Sequence, residues 1–281
     1  MFNVFYRDEH LQGRMSGPKK VIQNLFRSLD DLGISYATNQ EKYDKNLFLH
    51  WDPYQVENYK NLRHKDKLLV GPQIWPFAPE FSELTEYGKI ITPSQWVANL
   101  YTKFFDVKGT LNWPVAIYPP HIEEKEPEID YLIYFKNRPR NHLITVLNHL
   151  QQRGLTFTIL EYGNYSQQQF SAALSSVRFC VIIDNTESQG IATQEMMAAN
   201  KPLFVLDQPI WDHMGEEYSV PASSVPYWSD ECGVKITRPE EIEDAFDLFY
   251  SNLDNYTPKD FVERELSPQK TVQILLDYYE S

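Results

Sequence analysis

Two glutamates, Glu187 and Glu195, stand with seven residues between them in the run 186–202. Glu195 falls among Met196, Met197, Ala198 and Ala199, an otherwise apolar helical pattern. A carboxylate in such surroundings accepts hydrogen bonds from a hydroxyl pair, such as that of a ribose or a hexose. Glu187 lies in the preceding loop with Ser188, Gln189 and a single glycine, Gly190. Three cations, Lys136, Arg138 and Arg140, follow a second apolar run at 131–135. Guanidinium forks match phosphate oxygens two at a time. The spacing alone leaves open two solvated glutamates and a solvated basic loop.

The elements that must position these groups are legible around them. The run 177–183 is β-branched and apolar, and 203–206 is apolar again, so both read as buried strands of a parallel sheet. Between them the pattern is loop, then short helix. Asn200 can take the left-handed conformation that ends the helix, and Pro202 prevents its resumption. In such units ligands sit at the carboxyl ends of the strands, facing helix N-termini whose N–H groups and partial positive charge suit a phosphate.

The run from Glu187 to Leu203 reads E-S-Q-G-I-A-T-Q-E-M-M-A-A-N-K-P-L. It resembles the E-x7-E motif of the GT-B glycosyltransferases, especially the retaining glycosyltransferase family 4 (glycosyl transferases group 1), whose pattern is E-G-F-G-x-x-x-x-E-A-M-A-x-G-x-P-V. A second resemblance lies at 90–105, a strand running into Pro93-Ser94 and then a helix with Val97, Leu100, Tyr101 and Phe104, leading to a proline-rich exit at 115–121. The resemblance implies transfer of a sugar from a nucleotide-sugar donor, such as a UDP- or GDP-sugar, to a carbohydrate or glycan acceptor hydroxyl. It implies that Glu195 holds the ribose and Glu187 contacts the transferred sugar as a catalytic group. Ser188, Gln189, Gly190, Ile191 and Ala192 would form the loop around the donor sugar and phosphate. Lys136, Arg138 and Arg140 would hold the diphosphate, together with Gly13 and Gly17 of the first strand-to-helix loop, where the family often has adjacent glycines and this chain does not. His50, after the short strand 47–49, is the second catalytic candidate. Retention of configuration is implied only by the family; an inverting enzyme would need a general base, for which His50 or Glu9 could serve. Other readings are a nucleotide-sugar epimerase or hydrolase, a non-catalytic nucleotide-sugar binder, and a structural protein on the same scaffold.

The expected fold class is α/β: GT-B, two Rossmann-like domains with parallel sheets facing a central cleft. Residues 1–122 form the first domain and 128–255 the nucleotide-sugar domain, joined by an acidic linker. A C-terminal helical segment at 256–281 is expected to pack back on the first domain. Strands are predicted at 2–6, 47–49, 67–71, 131–135, 156–160 and 233–236, and helices from 18 to Gly33, over 141–153, 165–174, 239–253 and 267–279. Relative to the family pattern, one strand and helix before Glu187 are absent.

Composition narrows the partners. The formal net charge is −13 and no run of Lys and Arg could track a phosphate backbone, which argues against nucleic acid. The two cysteines, Cys180 and Cys232, form no C-x-x-C pair, which fits a reducing, cytoplasmic setting. The chain opens on a strand, so no secretory leader is expected, and no apolar run reaches membrane-spanning length. There is no D-x-D sequence and no metal-ligand spacing, so neither a metal nor another cofactor is expected.

Overall fold

Every pairing within the two large sheets is parallel. Parallel sheets are covered on both faces, and the central runs 68–70, 179–184 and 203–206 are accordingly buried at every residue rather than alternating. The computed structural model describes residues 2–13, 15–40, 43–49, 68–72, 88–105, 107, 109–123, 125–212 and 215–281. Contacts divide the chain into two units, Met1–Ala116 together with Leu266–Ser281, and Ile117–Glu265.

The first unit holds β1 (Phe2–Phe5), β2 (Tyr36–Thr38), β3 (Lys45–Phe48), β4 (Leu68–Val70), β5 (Lys89–Thr92) and β6 (Leu111–Asn112), in the order β2-β1-β3-β4-β5-β6. Helix α1 (Gly17–Asp31) buries Val21, Ile22, Leu25 and Leu29, one stripe at helical spacing. Pro18 occupies its first turn, the Ser16 side chain accepts from the Lys19 N–H, and Gly33 follows its end at φ 64°. Helix α2 (Gln95–Phe105) buries Trp96, Val97, Leu100 and Tyr101. The edge strands β2 and β6 are too short to leave a periodic signature in the sequence.

The second unit runs β7 (Ile129–Lys136), α3 (Arg140–Gln151), β8 (Phe157–Glu161), α4 (Gln167–Ser176), β9 (Val177–Asp184), α5 (Ile191–Ala198), β10 (Leu203–Leu206), the small hairpin β11 (Ile210–Trp211) and β12 (Val220–Pro221), then β13 (Gly233–Ile236), α6 (Ile242–Ser251) and α7 (Pro258–Glu265). The main sheet order is β13-β10-β9-β7-β8. A single strand, β8, separates β7 from β9 in sequence, as the missing strand-helix pair predicts. One face of β7 and β9 packs Tyr131, Ile133, Phe135, Phe179, Val181 and Ile183 against Leu143, Val146 and Leu150 of α3 and Phe246 and Phe249 of α6. Phe179, Phe204, Phe246 and Phe249 meet edge-on or tilted, the arrangement ring quadrupoles favour.

Two helix expectations are corrected. The predicted helix 239–253 begins as a 3-10 turn, Pro239–Glu241, before α6. The Glu241 carboxylate accepts from the N–H groups of Thr237 and Arg238 and so tightens that turn. The C-terminal segment 256–281 is two helices, with a break at Leu266-Ser267. Helix α7 stays in the second unit, while α8 (Pro268–Glu280) is part of the first. There the Trp113 indole donates to the Thr271 carbonyl at 3.0 Å, the Tyr279 hydroxyl donates to the Asn46 carbonyl, and the Tyr279 ring meets Phe2 edge-on.

Gly233 opens β13 at φ 138°, and a Cβ there would stand 2.0 Å from the Leu203 carbonyl oxygen of β10. Gly154, at φ 72°, has open space around the same position. Gly233→Ala is therefore expected to cost at least ~3 kcal/mol, against about 1 kcal/mol for Gly154→Ala, where only backbone strain acts. Denaturant unfolding of the two variants measures the difference.

Candidate functional site

In the second sheet β7 connects outward to β8 on one side, while β9 leads to β10 on the other. Loops that leave adjacent strands in opposite directions open a crevice at their carboxyl ends, where open α/β sheets bind ligands. The last residues of these two strands, Lys136 and Asp184, lie opposite each other in parallel register. Glu187 reaches the same place from the loop after β9, held there by its N–H donating to the Ser223 carbonyl at 3.0 Å.

Lys136 forms an ion pair with Glu187, stands 4.0 Å from Asp184 Oδ2, and lies over the Tyr162 ring at 4.4 Å. Burial disfavours the ammonium, but Glu187 and Asp184 outweigh it and hold the Lys136 pKa above its ordinary value. Burial, then the charge of Glu187, pushes the Asp184 carboxyl well above the usual carboxylate range. Behind this group Tyr134 of β7 and Tyr165 approach hydroxyl to hydroxyl at 3.4 Å. Burial raises the Tyr165 phenol, Tyr134 and Lys136 oppose that, and the negative charge of Glu195 adds to it. Glu195 itself is buried on α5. Glu187 and Glu195 thus border one polar centre through Lys136 and Tyr165.

The three cations at and after the end of β7 diverge. Asn137 takes the left-handed conformation at φ 50°, which turns the chain sharply after Lys136. Arg138 donates to the Gln208 side chain in the loop after β10. Burial lowers its pKa, against the opposing pull of Asp184 and Asp207. Arg140 opens α3 and points outward, gripping Glu161 with two bonds of 2.8 and 2.9 Å. Its side chain is 65% exposed, so Lys136 and Arg138 are the cations nearest the crevice.

The loop from Ser188 to Ala192 is shaped by Gly190, which sits left-handed at φ 82° before α5. A Cβ on it would stand 2.9 Å from Thr193 Oγ1. Gln189 and Gln194 lock together, Nε2 of Gln189 to Oε1 of Gln194 at 3.0 Å and Nε2 of Gln194 to the Gln189 carbonyl at 2.7 Å. Ile191 and Ala192 form the first turn of α5, whose N–H groups have no acceptor within the helix. At the other end Asn200 is left-handed at φ 56°, with its N–H on Met197 and that of Lys201 on Met196, the paired closure that ends helices.

In the first unit Gly13 lies in the loop after β1 at φ 71°, where its carbonyl accepts from Lys19 Nζ at 3.0 Å. Gly17 is the first residue of α1. Glu9 forms an exposed ion pair with Arg7. His50 lies outside the described residues.

The sequence reading missed Asp184 and a second buried network beside it. Asp207 accepts from Ser223 Oγ at 2.9 Å and from the Ser224 N–H at 2.6 Å. Lys235 donates to Ser223 Oγ at 2.8 Å and to the Val225 carbonyl at 2.7 Å, 4.0 Å from Asp207. Each acid ends an apolar strand run, and that was the available signal. Among the described residues no cluster of His, Cys, Asp and Glu could hold a metal ion, and no helix is long and apolar enough to cross a membrane.

No protein-family model matches the chain, and no curated protein matches it in sequence. Solved structures do match it. Sucrose-phosphate synthase from Thermosynechococcus elongatus is 9% identical with a TM-score of 0.62, over 99% of this chain and 97% of that one. WaaG, a glycosyltransferase involved in lipopolysaccharide biosynthesis, is 10% identical with a TM-score of 0.51, over 99% of both chains. A variant of Staphylococcus aureus TarM, solved with UDP and sugar ligands, is 12% identical with a TM-score of 0.57, over 93% of this chain. This chain spans 59% of the length of TarM. The fold is α/β with parallel sheets, of the GT-B glycosyltransferase kind.

Removing the ammonium leaves Asp184 and Glu187 together with no cation between them. Lys136→Met is expected to destabilise the fold by about 3 kcal/mol near neutral pH. Without the cation the folded Asp184 pKa rises further above its unfolded value. The loss is therefore present at high pH and relieved as pH falls toward the unfolded carboxylate range. Thermal unfolding of the variant and the wild type at pH 5 and pH 8 checks this.

Proposed function

We propose that the chain is a glycosyltransferase that moves a sugar from a nucleotide-sugar donor to an acceptor hydroxyl, with retention of configuration and without a metal ion. The observation that carries this reading is the Lys136–Glu187 ion pair, set at the switch point of the second sheet beside the N-terminus of α5. It joins a cation for phosphate to a carboxylate for hydroxyls. The matching structures add that the same fold serves sugar transfer in other proteins. A shared fold is support by analogy only.

In this reading the bond from the anomeric carbon to the diphosphate oxygen breaks, and its electron pair stays on the diphosphate. Positive charge builds on the sugar and negative charge on the leaving group. Lys136, Arg138 and the first-turn N–H groups of α5 stabilise that developing negative charge, the role a metal plays in other transferases. The acceptor oxygen bonds to the anomeric carbon and gives up its proton to the leaving diphosphate oxygen. Glu195 accepts from the ribose hydroxyls. Glu187, released from Lys136 as the diphosphate arrives, accepts from the transferred sugar. Gly13, Gly17 and Arg140 are secondary candidates for the diphosphate, and His50 for the sugar or the acceptor.

A hydroxyl-to-carboxylate hydrogen bond contributes about 1.5–3 kcal/mol net, or roughly ten- to a hundred-fold in affinity. Glu195→Gln is thus expected to weaken nucleoside diphosphate binding by that factor. Glu187→Gln is expected to spare that binding and lower transfer, because its contacts matter most as charge develops on the sugar. Calorimetry with UDP and GDP, with a transfer assay run in chelator, tests both roles and the independence from metal. Wild-type binding and turnover in both variants, or activity that returns only with added magnesium or manganese, contradicts the reading.

A further inference from the structure

One buried acid at this centre has no role in the scheme above. Asp184 is 1% exposed. Its Oδ1 accepts from the Asn185 N–H at 2.7 Å, while Oδ2, turned toward Lys136, accepts from no N–H or hydroxyl donor among the described residues. Among the described residues, the charged and titratable groups that face it are Lys136 and Tyr134 from β7, Arg138 from the following loop, and Glu187 from its own loop. From the neighbouring 220s loop Ser224 Oγ reaches only the Asp184 backbone carbonyl. Lys235, the other buried lysine at this end of the sheet, is occupied by Ser223, Val225 and Asp207. Arg138 is turned to Gln208. Lys136 is thus within ion-pair distance of both carboxyl groups. A buried carboxylate with one backbone donor and only a shared cation is costly, and protonation is the cheaper state.

We propose that Asp184 and Glu187 share one proton beside Lys136, and that Asp184 is the positioning residue that lets this lysine move onto a donor diphosphate. The second half rests on the proposed function. An arriving diphosphate draws the ammonium away from Glu187. With the proton between them, the two carboxyls then carry a single charge, and Glu187 keeps an oxygen for a sugar hydroxyl. The raised pKa of Asp184 agrees with this. The balance is simple: where the free pair is already deprotonated, donor binding takes up one proton from solvent. Donor affinity is full while the pair holds its proton, and falls as pH rises through the titration of the pair.

Two readouts separate the halves. In the ligand-free protein, the infrared difference spectrum of wild type minus Asp184→Asn at pH 7 should contain the C=O band of a protonated carboxyl. Glu187→Gln leaves Lys136 to Asp184 alone and should remove that band as well, which covers a failure of the Asn variant to fold. Asp184→Asn should also raise the melting temperature more at pH 8 than at pH 5, since a folded pKa above the unfolded one costs stability as pH rises. Absence of the band, with an equal thermal effect at both pH values, overturns the shared proton whatever the ligand. For the second half the probes are UDP-glucose and GDP-mannose, whose phosphodiester groups do not titrate near neutral pH. Calorimetry in buffers of different ionisation heat should show proton uptake, with affinity falling up to about tenfold per pH unit above the titration of the pair, the limit for one linked proton. Asp184→Asn should bind without uptake and with a flat pH profile. A pH-dependent affinity identical in wild type and variant overturns the positioning role. A wild type that binds neither donor counts against the proposed function and with it the positioning role, and leaves the infrared result to decide the shared proton.

Discussion

A single ammonium between two acids is the constraint around which the carboxyl ends of the second sheet are built. Lys136 and Asp184 are brought together by strand register, and Glu187 by the loop that follows. Without the lysine the two acids would be buried with no ammonium beside them, and without the acids the lysine would be a buried charge facing no carboxylate. The sheet topology supplies the opening: β7 and β9 are neighbours whose connections leave in opposite directions. The same register fixes what lies beneath. Tyr131, Ile133 and Phe135 alternate with Leu132 and Tyr134, so one face of β7 fills the aromatic core while Tyr134 meets Tyr165 on the other.

Around this centre the loops are tied down by hydrogen bonds and close packing. Gly190 cannot carry a side chain without striking Thr193, and Gln189 and Gln194 bind each other in both directions. Asp207, Ser223, Ser224 and Lys235 stitch the 220s loop to the ends of β10 and β13, and Ser224 ties it to Asp184. Groups held by packed neighbours lose less freedom when a ligand arrives, which is how a site favours charge development over mere contact.

Much of this was legible in the sequence, for identifiable reasons. The apolar run at 177–183 and the Asn200–Pro202 stop define a strand and a helix end by sterics alone, and the structure has Asn200 in the left-handed conformation anticipated for it. Glu195 stood out because a carboxylate among apolar residues is conspicuous, and Glu187 through its spacing from Glu195. What was not legible depends on side-chain direction. The run 136–140 presents three cations, but a left-handed Asn137 and the start of α3 send Lys136, Arg138 and Arg140 to three different partners. Asp184 escaped notice because its partner is 48 residues away in sequence and is set by register, which a local pattern does not contain. The two-residue strand β6 is likewise decided by packing rather than by periodicity, whereas the start of α8 at Ser267-Pro268 is set by a local cap that the sequence shows.

The central claim is that the crevice at the ends of β7 and β9 holds the diphosphate of a nucleotide sugar. A crystal structure of the chain with UDP tests it most directly. The account predicts the β-phosphate within hydrogen-bonding distance of Lys136 Nζ and of the first-turn N–H groups of α5, with the ribose on Glu195. A nucleotide bound elsewhere, with the Lys136–Glu187 pair and the Ser188–Ala192 loop unchanged, would contradict it.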